Sequence, residues 1–349
     1  MRPAGACSWV EVDAAAIRSN VEAFRARLPS STAIAAVVKS NAYGHGVGVV
    51  APAALEAGAS WLAVINLQEA IELQNLVGAE VPILILGHVP LEGVEQAVAR
   101  DLRLTLYDDC VLEAASNAAA RLGRTARVHL KAETGTHRQG LMPEALLAMA
   151  HRIANDPHVE LEGLGTHFAD IEDTTDHSFA ATQMERFAAT ADRIQQELRV
   201  EPLRHTACSA AAILFPDTHL DIARIGISLY GLWPSTATQV SARERKLGDF
   251  RLTPAMSWKT IVAQLKEIPE GGYVGYGRAW RAARPSRIAV LPVGYYEGYD
   301  RSLSGRAHVL VAGRRAPVVG RVCMNMTMAD VTDVPLVAAG QTVVLMGRA

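Results

Sequence analysis

Between residues 33 and 231 the chain repeats one pattern: a short apolar, β-branched run, then an Ala-rich amphipathic stretch. The apolar runs fall at 33–38, 61–65, 82–86, 102–106, 126–130, 159–164, 203–207 and 220–229, with helical periodicity between them, as at 49–57, 92–100, 113–121, 143–155 and 179–198. Eight apolar strands alternating with helices over about 200 residues predict a parallel (β/α)8 barrel, TIM-like, with an open doubly wound sheet as the competing architecture. After Leu232-Trp233-Pro234-Ser235 the texture changes. Residues 257–268, 287–293, 307–315 and 317–322 are strand-like and separated by turns rich in Gly, Pro and charge, which predicts a mostly-β C-terminal domain. A strand-like piece at 8–12 precedes Asp13, a good N-cap for a helix over 14–27.

Composition removes several classes of function. Lys and Arg total 34 against 36 Asp and Glu, a formal charge of −2, so the chain is not a generally basic nucleic-acid binder. No apolar run approaches the roughly 18 residues of a membrane helix, and the first seven residues carry no apolar signal region. Cys7, Cys110, Cys208 and Cys323 form no C-x-x-C pair and read as reduced thiols of a cytoplasmic protein, with no metal site. A metal-dependent barrel hydrolase would use some of the 11 histidines, but the first strand leads to Gly44-His45-Gly46 rather than H-x-H, and His129, His167 and His205 lack ligand spacing.

In a parallel barrel, reactive groups collect where strands end. The first strand ends at Lys39, followed by Ser40-Asn41-Ala42-Tyr43-Gly44-His45-Gly46. Two readings fit a lone lysine there: a side chain snorkelling at the rim, or a partly desolvated amine suited to Schiff-base chemistry. Strand five runs into Lys131 and Arg138, strand six into Thr166-His167-Phe168, strand seven into His205-Thr206-Ala207-Cys208-Ser209, and strand eight contains Arg224-Ile225-Gly226-Ile227. Arginines at such an end imply an anionic ligand. Ser209 and the Gly226-Ile227 amides follow strands seven and eight, where barrels frequently bind phosphate. A lysine on the first strand and a phosphate site at the last two suggest pyridoxal 5'-phosphate. The β segment adds Gly275-Tyr276-Gly277, Gly294-Tyr295-Tyr296 and Gly320-Arg321-Val322-Cys323-Met324-Asn325. A tyrosine between glycines is either an ordinary turn aromatic or a group that reaches a partner's site.

These motifs resemble those of the alanine racemase family, the fold-type III enzymes that use pyridoxal phosphate. The resemblance runs in the family's order from Trp9-Val10-Glu11-Val12-Asp13 through residues 36–46, 131–140, Thr166-His167-Phe168, Ser209-Ala210-Ala211, 224–231, 274–277, 291–295 and Arg321-Val322-Cys323-Met324. It implies a strand at 1–12 that packs with the β domain, a cofactor-binding barrel over 13–234, and a C-terminal β domain over 235–349. It also implies a cytoplasmic homodimer with shared active sites, acting on a small amino acid and supplying D-alanine for peptidoglycan. Lys39 would hold the cofactor and act as base on one face of the substrate Cα, and Tyr276 of the other subunit would act on the opposite face. Arg224 would meet the pyridine nitrogen, with His167 beside it. Tyr43, Ser209, Gly226, Ile227 and Tyr295 would hold the phosphate and shape the entrance. Arg138, with the Met324 amide of the other subunit, would take the substrate carboxylate, and Lys131 matches a lysine that can be carbamylated.

Some positions depart from the family pattern: Thr136 stands in place of Met, Tyr296-Glu297 in place of Ala-Asp, and Asn325 in place of Asp. They leave a broader or serine-directed racemase as the alternative. The family usually continues for a few tens of residues past this C-terminus, including a tyrosine near the phosphate. Fold-type III decarboxylases place an acidic partner at the pyridine nitrogen, and non-enzymatic carriers of that cofactor lack the β domain.

Overall fold

A computed structural model describes residues 3–347. The ends of the 1–12 and 235–349 segments, residues 1, 2, 348 and 349, lie outside the described residues. The chain divides into two compact units, one comprising Ala14–Ala255 and the other the residues through Asp13 together with those from Met256 onward.

Within the first unit, β2 (Ala33–Val37), β3 (Trp61–Val64), β4 (Ile83–Ile85), β5 (Arg103–Leu106), β6 (Ala126–Lys131), β7 (Val159–Gly165), β8 (Leu203–His205) and β9 (Ile222–Ile225) form one parallel sheet. Its order is β8-β7-β6-β5-β4-β3-β2-β9. Two backbone bonds draw its ends together: the Asp221 amide donates to the Arg204 carbonyl and the Arg224 amide to that of Ala207, each at 3.0 Å. This is the nearly closed, TIM-like barrel that the alternation predicts. Strands such as β4 are buried along their whole length, hence their unbroken apolar sequence. Two of the helices between them, Leu67–Val77 and Asp109–Leu122, start at side-chain caps, Asn66 and Asp108. The Asp108 carboxylate accepts the Cys110 and Val111 amides ahead of Asp109–Leu122, which ends at Gly123 with φ 61°. The apolar stretch 220–229 holds only four residues of strand, because Gly226 (φ −104°, ψ −102°) breaks the extended backbone into a 3-10 turn over Ile227–Tyr230. A helix at Thr236–Glu244, capped by the Ser235 hydroxyl on the Thr238 amide, belongs to this same unit.

The second unit is antiparallel. β1 (Ser8–Val12) pairs with β10 (Met256–Ile261), and the sheet continues through β18 (Thr342–Met346), β15 (His308–Val311), β16 (Arg314–Val319), β17 (Thr327–Asp330) and β14 (Ser286–Leu291) to β11 (Gln264–Ile268). A two-stranded ribbon joins β12 (Tyr273–Val274) and β13 (Trp280–Arg281). The core is valine-rich, with Val262, Leu291, Val309, Val311, Val318 and Val331 buried together. Two segments expected as single strands are each two. Residues 307–315 fold as a hairpin at Ala312-Gly313, where φ is 50° and 73°, the positive pair that suits the strands' twist. Residues 257–268 part at Val262 and Ala263, whose amides donate to Gln341 and Val290 respectively and so send the two halves to different neighbours.

Candidate active site

Lys39 follows β2 and opens a left-handed turn. Ser40, Asn41, Ala42 and Tyr43 all have φ between 51° and 54°. Such a conformation costs about 1–2 kcal/mol per residue, so surrounding bonds must impose it. They do. The Glu69 carboxylate accepts the Ser40 amide at 2.8 Å and the Ile65 amide at 3.1 Å, and Asn41 Oδ1 accepts the Val47 amide at 2.9 Å. Tyr43 packs on the buried Tyr230 ring at 4.8 Å, and the Tyr230 hydroxyl donates to the Val37 carbonyl at 2.9 Å. The turn thus fixes Lys39 and Tyr43 on the same wall of the barrel mouth.

Arg224 is buried, and four backbone or ring acceptors hold its two terminal nitrogens. Nη1 donates to His205 Nδ1 (2.6 Å) and the His205 carbonyl (2.8 Å), and Nη2 to the carbonyls of Thr166 (2.7 Å) and Thr206 (3.1 Å). Nη2 also lies 3.4 Å from His167 Nδ1. Its Nε–H has no partner among the described residues. Burial lowers Arg224 to about 10, which leaves it cationic at neutral pH. Burial, then the charges of Lys131, Arg224 and Arg138, hold His167 well below the usual imidazole range, so its ring is neutral.

At the far side, Ser209 Oγ accepts the Gly226 amide at 3.0 Å and the Ser228 amide at 3.4 Å. A Cβ on Gly226 would stand 2.9 Å from the Tyr43 hydroxyl, so glycine alone keeps that corner open. Lys131 has no hydrogen-bond partner among the described residues. Desolvation, then Arg224 and Arg138, holds its amine well below the ordinary lysine range. Lys39, Tyr43, Lys131, Arg138, His167, Ser209, Arg224, Gly226 and Ile227 all line one cavity of about 530 Å³ in the barrel unit. An amine, a free guanidinium N–H and a corner of hydroxyls on thin backbone form a donor set that fits a flat, nitrogen-containing ring bearing a phosphate.

The remaining candidates lie in the second unit. Tyr276 and Met324 line a groove with Tyr273, Ile288 and Met328, and both are exposed, Tyr276 by 72 %. Tyr295 lines a separate shallow hollow with Asp300 and Arg301. Each of the three departures has a side chain engaged locally. The Thr136 hydroxyl donates to the His167 carbonyl at 2.7 Å, and Asn325 Nδ2 to Glu297 Oε1 at 2.8 Å. Glu297 Oε2 in turn accepts the Gly294 amide at 2.8 Å.

Sequence reasoning missed Glu69, which has no local signal. It also took His129 only as a non-ligand and His205 only as a non-ligand at a polar strand end, whereas the two rings bond to each other and His129 bonds Glu162 inside the barrel. One cue was available: Gly163 and Gly165, two apart on one strand face, make room for something bulky opposite.

Comparison with known proteins agrees with this geometry. The model for the alanine racemase N-terminal domain matches residues 12–234, and that for the C-terminal domain residues 255–349. The alanine racemase of Symbiobacterium thermophilum is 40% identical over 348 residues, covering 100% of this chain and 88% of that protein. Among solved structures, the alanine racemase of Streptomyces lavendulae superposes with a TM-score of 0.89 at 35% identity, over 100% of this chain and 89% of that one. That of Bacillus anthracis, solved with bound L-Ala-P, superposes with a TM-score of 0.86 at 36% identity, over 99% of this chain and 87% of that one. With both domains matched in order along nearly the whole length, this chain belongs to the alanine racemase family.

Proposed function

We propose that this chain interconverts L- and D-alanine with pyridoxal 5'-phosphate in the barrel cavity, working in the cytoplasm as a homodimer whose product supplies peptidoglycan. One observation carries the reading: Lys39, the free Nε–H of Arg224 and the Ser209–Gly226 corner line a single cavity in a chain of this family. When bound, the cofactor draws electrons from the substrate Cα and makes its hydrogen removable.

The chain's own groups account for the rest. Lys39 holds the cofactor through its amine and moves a proton on one face of Cα. Racemisation needs a second group on the opposite face, and Tyr276 of the other subunit fills that role; its exposure in this chain suits a group that works in a partner's site. Neutral His167 accepts from Arg224 at Nδ1, which leaves its Nε2–H free to donate toward the Tyr276 oxygen. Arg224 offers Nε–H to the pyridine nitrogen and keeps its own proton, since its pKa stays near 10. Tyr43, Ser209, Gly226 and Ile227 hold the phosphate, and Tyr295 shapes the entrance.

Arg138 and the Met324 amide of the other subunit bind the substrate carboxylate. The amine of Lys131, held well below the ordinary lysine range, adds in its unprotonated form to carbon dioxide, forming an N–C bond and releasing one proton, and the resulting carbamate sets an anion beside Arg138. The Thr136 hydroxyl and the Asn325 amide are occupied within the fold, so the reading stays with alanine rather than serine.

Two measurements test this. Chiral chromatography after incubation with L-alanine and L-serine, with the cofactor added, should show D-alanine forming faster; faster serine turnover would move the assignment to a serine-directed racemase. Mixing Lys39→Ala with Tyr276→Phe, each inactive alone, should restore about one quarter of the activity, because half of the random dimers carry one intact site. No recovery after subunit exchange would rule out shared sites.

A further inference from the structure

A polar column runs through the barrel interior, where Val, Ile and Leu layers normally pack. From Arg224 on β9, Nη1 reaches His205 Nδ1 on β8 at 2.6 Å. His205 Nε2 lies 2.9 Å from His129 Nδ1 on β6, and His129 Nε2 lies 3.0 Å from Glu162 Oε2 on β7. Both imidazoles are buried. Arg103 fixes the far end, with its Nε 3.2 Å from Glu162 Oε2 and its Nη2 3.2 Å from Oε1, and it stacks over Trp61 at 5.6 Å. Arg127 stands 4.0 Å from the same carboxylate.

The backbone is shaped around this column. A Cβ on Gly163 would come 2.3 Å from His129 Nδ1, and one on Gly165 would come 2.1 Å from His205 Cε1, so β7 carries no side chain where the rings lie. The β6–β7 register also shifts. Val128 pairs with Leu161 and His129 with Gly163, which leaves Glu162 as the extra residue of a bulge. A bulge re-aims a side chain, and here it coincides with the carboxylate that ends the column.

The chain of bonds has only one consistent direction. A guanidinium can donate but not accept, so His205 Nδ1 must be the acceptor. Burial and the charge of Arg224 hold His205 neutral, which puts its single proton on Nε2. That proton is donated to His129 Nδ1, so the His129 proton is on Nε2 and goes to Glu162. His129, Arg103 and their hydrogen bonds hold Glu162 below the usual carboxylate range, although burial opposes them, so the end of the column is anionic.

We propose that Glu162, acting through neutral His129 and His205, is a positioning residue for Arg224. The column is a one-way donor chain that balances the guanidinium's charge from a distance and fixes the plane from which its Nε–H projects. This deepens, and rests on, the reading of Arg224 as partner of the cofactor ring. A carboxylate touching Arg224 directly would compete for its donors. Two interposed imidazoles transmit the polarity and leave the Nε–H free. Without the anion at Glu162, the His129 Nε2–H loses its charged acceptor, and the 2.6 Å anchor of Arg224 loses the polarity that backs it.

The test uses the full-length protein labelled with 15N-histidine, with and without cofactor. Two-bond 15N–1H correlations should show His129 and His205 neutral and protonated on Nε2 in both states; a proton on Nδ1 of either ring would overturn the column's direction. This part does not depend on the cofactor assignment, which fails separately if no visible absorption band forms on adding pyridoxal phosphate. Glu162→Gln keeps the shape and removes the charge. It should shift the visible band of the bound cofactor and lower kcat about tenfold while KM changes less than about twofold. An unchanged band and kcat in Glu162→Gln would show that Glu162 only packs. If that variant does not fold, the wild-type tautomers still decide.

Discussion

Glu69 accepts the Ser40 amide at 2.8 Å, and through that bond a helix-borne carboxylate holds the left-handed turn that carries Lys39. The turn is strained at four successive residues, so the bond works against a standing tendency to relax.

Glu69→Ala leaves the Ser40 and Ile65 amides without their acceptor and should cost about 1–3 kcal/mol in urea-unfolding experiments. The same variant should retain cofactor less well on dialysis. Unchanged stability and retention would mean that the Tyr43–Tyr230 packing and Asn41 hold the turn unaided.

Tyr276→Phe removes one hydroxyl from a residue 72 % exposed, so thermal stability should move by less than about 0.5 kcal/mol. If the hydroxyl serves as the second base, kcat should fall by about 10²- to 10⁴-fold with cofactor absorbance intact. Steady-state kinetics and a thermal scan separate these effects.

Two glycine substitutions should have opposite signs. Gly165→Ala drives a methyl to 2.1 Å from a ring already bonded at both nitrogens, and should destabilise by about 3 kcal/mol or more. Gly48→Ala lies on the exposed part of a helix with nothing within 4 Å, and should stabilise by about 0.5–1 kcal/mol. Denaturant midpoints of the two variants report both.

His129, His167 and His205 are all held below their ordinary value of 6.5 by burial. As pH falls through 6.5, the unfolded chain takes up protons that the native state refuses, so stability should drop by up to about 1.4 kcal/mol per pH unit per histidine. Glu162, lowered from 4.5, adds a further loss below that pH, because its ionised form is the one the fold favours. Unfolding free energies at several pH values between neutrality and 4 should therefore decline throughout. A flat profile would mean that these rings are already charged in the native state.

If Lys131 carries a carbamate, protein equilibrated with 13C-bicarbonate should show a carbamate carbon resonance that Lys131→Ala lacks. Without that resonance, Arg138 would have to be oriented by other groups, Glu133 of the same loop being the nearest acid in sequence.

The barrel was legible because it rests on a local property: runs buried on both faces must be apolar, and helices between them must be amphipathic. Lys39 and Ser209 were legible for the same reason, as polar residues placed where apolar strands stop, and Arg224 as a charge inside an apolar strand. The bounds were harder. Residues 257–268 and 307–315 look continuous, and only the partners available to Val262 and Ala263, or the positive φ at Ala312, divide them.

What tertiary structure decided is the chemistry between distant residues. Glu69 lies 29 residues from Ser40, His205 76 from His129, and His129 33 from Glu162. Spacing in the chain carries no trace of these bonds, since strand register, a one-residue bulge and the closing of the sheet bring the atoms together. The order of residues alone determined which side chains stand at the barrel mouth. The direction in which protons are held beneath it follows from register, because a hydrogen bond depends on a few tenths of an ångström that only the assembled sheet supplies.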